Sequence, residues 1–318
     1  MTDLSPLSLA AAIVDAHRAH FGAPAPTPTP TPTPAPTAFT SDASVYRAAK
    51  AACAALGFID IDAECLARAW QAQTARTGAF DARAWPDAPI DFGLRAFPPA
   101  ERADAFAPCP ERLGLYAVLP DADWVGRMAR SGVPTVQLRF KSSDTQAIAR
   151  EVQAAVDAVR GTPALLFIND HWQAAIEAQA YGVHLGQEDL DALGAHDVQR
   201  LRAAGLRLGV STHGYAEMVR ADAVSPSYIA MGAVYPTTLK RMATAPQGVA
   251  RLAAYARLLR GYPQVAIGGI DAARMPEVLA TGVGSVAVVR ALIAADDPPA
   301  KAAALIAGMQ LHPIESAP

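Results

Sequence analysis

The chain has 318 residues, 52% of them hydrophobic, and a net charge of −3 at neutral pH. That length holds one large domain plus something smaller, with ample apolar side chains for a core. The slight negative charge and the lack of a basic run argue against nucleic acid or an anionic membrane as partner. Cys53, Cys65 and Cys109 form neither an even set nor a metal-ligand spacing. They fit a reduced, cytoplasmic protein rather than a disulfide framework. Leu4 to Val14 is mildly apolar, but Asp3 precedes it and no Lys or Arg does. No signal peptide is expected there, and no apolar run approaches the roughly 20 residues of a membrane span.

The first stretch, 1–23, predicts a short amphipathic helix from Leu7 to Phe21. Residues 24–38 carry a Pro-Thr repeat, which predicts an extended linker without a packed core. Residues 39–110 predict a small helical extension of unassigned function. Val45, Ala49, Cys53 and Leu56, then Cys65, Leu66 and Trp70, recur at roughly helical spacing. Two helices are expected, broken near Gly57-Phe-Ile-Asp60. Trp85 to Pro110 is proline-rich and reads as a loop. Asp60, Asp62 and Glu64 cluster, but the distal Glu and the Gly of a calcium loop are missing, so a solvated turn is expected.

After Pro110 the pattern becomes regular over 111–310, and 311–318 is left as a tail. Apolar strands are expected at Leu113–Leu119, Val136–Arg139, Ala164–Asn169, Gly182–Leu185, Arg207–Ser211, Ser227–Met231, Gln264–Ile267 and Val283–Val288. A helical pattern follows each one. The second helix, Ser143 to Arg160, would be capped by Ser142 or Ser143. Eight strand–helix units in about 200 residues predict an α/β fold, a (β/α)8 TIM-type barrel with a separate N-terminal extension. A doubly wound sheet rarely needs eight units, and the first turn here, Leu119-Pro-Asp-Ala-Asp123, lacks its glycines.

Such barrels place their active sites at the carboxyl ends of the strands. The second strand runs Thr135-Val-Gln-Leu-Arg-Phe-Lys141. Alternation puts Gln137, Arg139 and Lys141 on one face and Val136, Leu138 and Phe140 on the other. One amide and two cations on one face suit a polyanion such as pyrophosphate. The third strand ends at Asn169-Asp170. The fourth leads to His184-Leu-Gly-Gln187 and Asp189, and the fifth to Ser211-Thr-His213. The sixth leads to Thr237, Thr238 and Lys240, and the seventh to Gly268-Gly269. Polar residues and glycines thus segregate to one end. Asp170 and Asp189 follow adjacent strands, and two carboxylates that close call for a cation between them. Mg2+ shared with substrate phosphate oxygens answers this, with Arg139, Lys141 and Lys240 opposite. A second anion site is expected where Gly268-Gly269 and Val289-Arg290 end the last two strands. His184 reads as a packing residue, and His171 and His213 as mouth residues. No nucleophile elbow or triad is present.

Taken together, several motifs carry a resemblance. They are Gln-Leu-Arg-Phe-Lys at 137–141, Phe-Ile-Asn-Asp at 167–170, Gly-Val-His-Leu-Gly-Gln-Glu-Asp at 182–189 and Gly-Val-Ser-Thr-His at 209–213. Pro-Thr-Thr-Leu-Lys at 236–240, Ala-Pro-Gln-Gly at 245–248 and Ala-Ile-Gly-Gly-Ile at 266–270 complete them. Over about 112–310 the chain resembles thiamine phosphate synthases. The resemblance implies a Mg2+-dependent transferase joining hydroxymethylpyrimidine diphosphate to a thiazole phosphate, with release of pyrophosphate. It implies that Gln137, Arg139, Lys141 and Asn169 hold the pyrimidine diphosphate, within a binding stretch that includes Leu138 and Phe140. Asp170 and Asp189 would hold the metal. Ser211 and Lys240 would contact the leaving pyrophosphate, so catalytic roles fall to Arg139, Lys141, Ser211 and Lys240. Thr237, Thr238, Leu239, Gly268, Gly269, Val289 and Arg290 would form the thiazole phosphate site.

Three positions depart from the family pattern. Leu239 stands where a second phosphate-binding Thr is usual, Arg290 where Ser is usual, and His171 where Arg is common. Arg290 is expected to compensate by charge for the missing hydroxyls. Two rival readings share the barrel: a thiazole tautomerase-like relative, and a non-catalytic phospholigand-binding protein. Neither needs both Asp170 and Asp189 together with the Gln-x-Arg-x-Lys strand.

Overall fold

The structure, a computed structural model, describes residues 5–22, 41, 43–95, 97–237 and 245–311. The described residues group into two compact units, Met1–Ala96 with Gly214–Ala223, and Phe97–His213 with Val224–Pro318.

The second unit is a closed, all-parallel eight-stranded barrel. Its strands are β1 (Leu115–Leu119), β2 (Thr135–Leu138), β3 (Leu165–Asn169), β4 (Gly182–Leu185), β5 (Arg207–Thr212), β6 (Tyr228–Met231), β7 (Gln264–Ile267) and β8 (Ser285–Val288). The strands are short and almost entirely buried, as expected where helices cover the outer face and side chains fill the inside. Closure comes from β1 pairing with β8, Leu115 opposite Val286 and Ala117 opposite Val288. Inside, Tyr116, Val118, Phe167, Tyr228, Val265 and Ala287 pack as one cluster.

The helices of this unit are α4 (Ala122–Arg130), α5 (Thr145–Val159), α6 (Trp172–Glu177), α7 (Gln187–Ala192), α8 (Ala195–Ala203), α10 (Gly248–Leu258), α11 (Met275–Leu279), α12 (Arg290–Ile293) and α13 (Pro298–Gln310). Asp121 caps α4 by accepting the Trp124 N–H at 2.8 Å. The cap of α5 is Asp144, which accepts from the Gln146 and Ala147 N–H groups at 2.9 and 3.2 Å. Neither Ser142 nor Ser143 caps it. Ser142 instead accepts the Asp144 N–H, and a carboxylate is the stronger partner for unpaired helix amides. Two further helices were not expected from the sequence. With six residues, α7 is too short to show a period, and α13 is so rich in alanine that its faces barely differ.

The first unit contains α1 (Pro6–Phe21), α2 (Ser44–Ala55), α3 (Asp60–Thr77) and α9 (Tyr215–Ala223). The break between α2 and α3 falls where expected. Its core is aromatic: His17, Phe21, Phe58, Trp70 and Trp85 pack with ring centroids 4.4–6.1 Å apart. The Trp85 indole N–H donates to the Tyr215 hydroxyl at 3.0 Å.

Two expectations change here. Asp60, Asp62 and Glu64 do not form a solvated turn. They lie in α3, where Asp62 is buried and accepts the Ala216 N–H at 2.9 Å. Gly214 makes room for it, since a Cβ there would lie 2.1 Å from the Asp62 carboxylate. The stretch 39–110 also divides at 96/97. Residues from Phe97 on join the barrel unit, where the Phe106 N–H donates to the Ser225 carbonyl at 3.1 Å and Ser227 Oγ donates to the Ala107 carbonyl at 2.6 Å. The proline-rich stretch contains two 3-10 turns, Pro89–Phe92 and Pro99–Glu101. The expected Pro-Thr linker lies outside the described residues, as does all of the 311–318 tail but Leu311. Among the described residues no helix is long and apolar enough to cross a membrane.

Candidate active site

A cavity of about 620 Å³ opens at the carboxyl ends of the barrel strands. Gln137, Arg139, Lys141, Asn169, Asp170, Asp189, Ser211, Thr237, Gly268, Gly269, Val289 and Arg290 all line it, as does His213. The structure therefore brings most of the sequence-predicted site together. Strand alternation turns Leu138 and Phe140 away from it; Leu138 is buried and Phe140 is half-buried. His171 also stays off the cavity wall, with its Nε2 2.9 Å from the Phe140 carbonyl oxygen. Thr238, Leu239 and Lys240 lie outside the described residues.

One side of the cavity is built on β2 to β5. Gln137 and Asn169 are buried, and the Gln137 Nε2 donates to the Asn169 Oδ1 at 3.0 Å. That bond leaves the Asn169 amide NH2 as a donor and the Gln137 carbonyl as an acceptor. Such a pair can read a flat, nitrogen-bearing ring edge. Arg139, half-buried, and Lys141, more exposed, follow on the same face. The Lys141 ammonium meets the Asp170 carboxylate at 2.5 Å. Asp170 has a left-handed backbone, φ 65°, and its N–H donates to the His184 carbonyl at 3.0 Å. Asp170 thus turns away from the strand path just past its end. Asp189 sits in the first turn of α7, and its Oδ2 accepts the Gly186 N–H at 3.1 Å.

The two carboxylates feel each other. Burial pushes the Asp189 carboxyl above its ordinary range, and the negative charge of Asp170 pushes it further. Among the described residues no group of three or more His, Cys, Asp or Glu side chains could hold a metal. A pair of carboxylates facing a roomy cavity instead suits Mg2+, a hard cation that completes its octahedron with waters and phosphate oxygens. The donor set fits that ion: Asp170 and Asp189 would hold it, with Lys141 now balancing Asp170.

The other side is built on β7 and β8. Gly268 and Gly269 have φ values of 108° and 64°. A Cβ at Gly268 would lie 2.5 Å from the Ala233 Cβ, and one at Gly269 would lie 2.7 Å from the Pro236 carbonyl oxygen. Only glycine permits both the left-handed turn and this approach. Arg290 opens α12, two residues past the end of β8, and is exposed. Sequence reasoning missed Arg274, which also lines the cavity. It donates to the Gly269 carbonyl at 2.6 Å and stacks 4.7 Å over Tyr235, whose hydroxyl donates to Glu277. Arg274 does not stand out by spacing or composition. Gln187, which the sequence placed at the end of the fourth strand without a role, donates its amide to the Ser211 carbonyl at 2.7 Å and so fixes the end of β5.

A sequence profile described as thiamine monophosphate synthase matches residues 115–292, starting at the first residue of β1. The chain belongs to the thiamine monophosphate synthase family. Its match with the thiamine-phosphate synthase of Neisseria meningitidis serogroup B is 54% identical over 195 residues, 61% of this chain and 94% of that one. The thiamine-phosphate synthase of Cronobacter sakazakii is 53% identical over 192 residues, 60% of this chain and 90% of that one. Among solved structures, a thiamine phosphate pyrophosphorylase from Pyrococcus furiosus superposes with a TM-score of 0.56 at 27% identity, covering 63% of this chain and 96% of that one. As a member of the thiamine monophosphate synthase family, the chain is an enzyme of the transferase class. Its charged residues converge on the end of the barrel where such enzymes do their chemistry.

Proposed function

We propose that this enzyme couples hydroxymethylpyrimidine diphosphate to a thiazole phosphate, giving thiamine phosphate and pyrophosphate, and that it requires Mg2+. The reading is carried by the sorting of charge around one cavity. The cations Arg139 and Lys141 and the carboxylates Asp170 and Asp189 gather on one side, beside the Gln137–Asn169 pair. A substrate with a flat nitrogenous ring and a diphosphate fits that order. The Gly268-Gly269 turn and Arg290 offer backbone and guanidinium groups for a single phosphate on the other side.

The chemistry follows from the charges. The bond between the pyrimidine methylene carbon and the diphosphate oxygen breaks, and pyrophosphate leaves with the electron pair. Asp170 and Asp189 would hold the Mg2+, which would supply charge neutralisation for that leaving group. Arg139 and Lys141 stabilise the same developing charge, and Ser211 adds a hydroxyl. The electron-rich aminopyrimidine ring stabilises the cationic methylene, so the step is dissociative. The thiazole nitrogen, held nearby through its phosphate, then forms the new C–N bond. No protein nucleophile takes part, and the chain contributes orientation and electrostatics. Three free cysteines and the lack of a basic surface run are consistent with a cytoplasmic enzyme.

The test is pyrophosphate release by the purified chain, with each substrate alone, with both, with and without Mg2+, and in the Asp170→Ala variant. Release that needs both substrates and Mg2+, and is lost in the variant, is the expected result. No release under any condition, with thiazole phosphate still bound, would overturn the proposal in favour of a binding or tautomerase role.

A further inference from the structure

A line of hydrogen bonds runs from the barrel core to the cavity wall. The Tyr116 and Tyr228 hydroxyls are 2.8 Å apart. Tyr228 Oη lies 2.6 Å from His184 Nδ1, and His184 Nε2 lies 2.8 Å from Ser211 Oγ. His184 and Ser211 line the cavity, whereas neither phenol does, and both phenols are fully buried. The chain makes space for this line. A Cβ at Gly209 would lie 2.1 Å from Tyr228 Cζ, so a side chain two residues before Ser211 would displace the ring.

The direction of the line follows from its dead end. Among the described residues Tyr116 Oη has one hydrogen-bond partner, Tyr228 Oη. A buried hydroxyl proton left unbonded costs about 1–3 kcal/mol, so Tyr116 donates to Tyr228. Tyr228 has one proton and must then donate to His184 Nδ1. With Nδ1 accepting, the neutral imidazole carries its proton on Nε2 and donates it to Ser211 Oγ. Ser211 thus accepts from the protein and keeps its own proton to donate. Burial pushes both phenols well above their ordinary range, which keeps each one protonated as this ordering needs.

We propose that Tyr116 and Tyr228 lock His184 in its Nε2–H tautomer, and that His184 in turn presents Ser211 as a hydrogen-bond donor to the leaving pyrophosphate. His184 and the two tyrosines are positioning residues: no proton travels along the line, and its only effect is to fix the Ser211 hydroxyl. This rests on the coupling reaction proposed above. In the opposite ordering Ser211 would donate to His184 and turn its lone pairs to the leaving group, which repels the developing charge.

Two measurements on the full chain test this. The first is the ring-nitrogen spectrum of histidine in the wild-type protein near neutral pH, with the His184 signals assigned by their loss in His184→Gln. The Nε2–H tautomer is expected, and the Nδ1–H tautomer would overturn the proposal whatever the reaction is. The second is steady-state kinetics of pyrophosphate release. Ser211→Ala should lose about a hundredfold in kcat, as for removal of one preorganised donor. Tyr228→Phe should lose about tenfold in kcat with the KM of both substrates nearly unchanged, since the interaction strengthens only as charge develops. His184→Gln, whose amide Nε2 can still donate to Ser211, should keep most of the turnover, while His184→Leu should fall to the level of Ser211→Ala. Wild-type kcat in Tyr228→Phe, or equal losses in the Gln and Leu variants, would overturn the relay. A wild-type chain that releases no pyrophosphate defeats the functional reading instead, and the tautomer measurement still judges the relay.

Discussion

The N-terminal unit and the barrel unit differ in how some of their charged residues are met. In the N-terminal unit, Glu64 accepts from Lys50 at 2.9 Å and Arg68 at 2.8 Å and also takes the Tyr46 hydroxyl. Asp91, buried, receives both arms of Arg76 at 2.8 and 2.6 Å. Asp62 caps the start of α9. Each of these three acidic groups is met within its own unit. In the barrel unit, no side chain among the described residues pairs with Arg139, which faces the cavity beside Asp170 and Asp189. A buried charge met by its own unit stabilises a fold. A charge aimed into a cavity without a partner is available to a ligand.

The largest effect expected from this contrast is at Arg139. Arg139→Ala should lower kcat/KM for pyrophosphate release by about 10²–10³-fold, as for other preorganised charge stabilisers. Its melting temperature should stay near that of the wild type, because no side-chain partner among the described residues is lost. A large thermal shift with intact kinetics would break the comparison. Glu64→Ala is the mirror experiment. It removes the carboxylate that accepts from Lys50 and Tyr46, leaving Lys50 the longer 3.6 Å pair with Asp60, and should cost about 1–3 kcal/mol in a denaturant titration, with kcat and KM unchanged.

Arg290→Ala sharpens the distinction within the cavity itself. A charge-assisted bond to phosphate is worth about 1.5–3 kcal/mol, so the KM for thiazole phosphate should rise about tenfold or more. The KM for the pyrimidine diphosphate should hold. A change confined to the pyrimidine substrate would move Arg290 to the other subsite.

The smallest effect is at Asp189. Its carboxyl is raised by burial and by Asp170, so the folded state gives up that proton less readily than the unfolded chain. The ionised form therefore costs stability above the ordinary carboxylate range. The cost disappears as pH falls through the raised pKa. Without Mg2+, Asp189→Asn should melt slightly above the wild type at neutral pH, and the gap should close in acid. An Asn can still accept the Gly186 N–H, so a lower melting temperature at neutral pH would show that burial of the charge and its repulsion from Asp170 do not govern this position.

Much of the barrel was readable in the chain because parallel strands covered on both faces appear as short apolar runs between polar turns. Gln137, Arg139 and Lys141 were readable because alternation along β2 needs no knowledge of its neighbours. What failed depended on length or on distant contacts. Helix α7 is shorter than two turns, and α13 lacks contrasting faces. Asp60, Asp62 and Glu64 read as a solvated cluster because two of their partners, Lys50 and Ala216, come from other helices and are brought in only by folding. His184 read as a packing residue, and its bond to Tyr228, 44 positions away, left no trace in the local pattern.

The sequence alone determined the eight-unit barrel and the end at which its polar residues gather, because both follow from periodicities of two and 3.6 residues that operate locally. It also carried the family, through motifs in a fixed order. Only the tertiary structure decided which of those polar groups are satisfied. Hydrogen bonds form between atoms a few ångströms apart, whatever their distance along the chain, so the open Arg139, the saturated Glu64 and the line from Tyr116 to Ser211 exist only once the strands and helices are assembled.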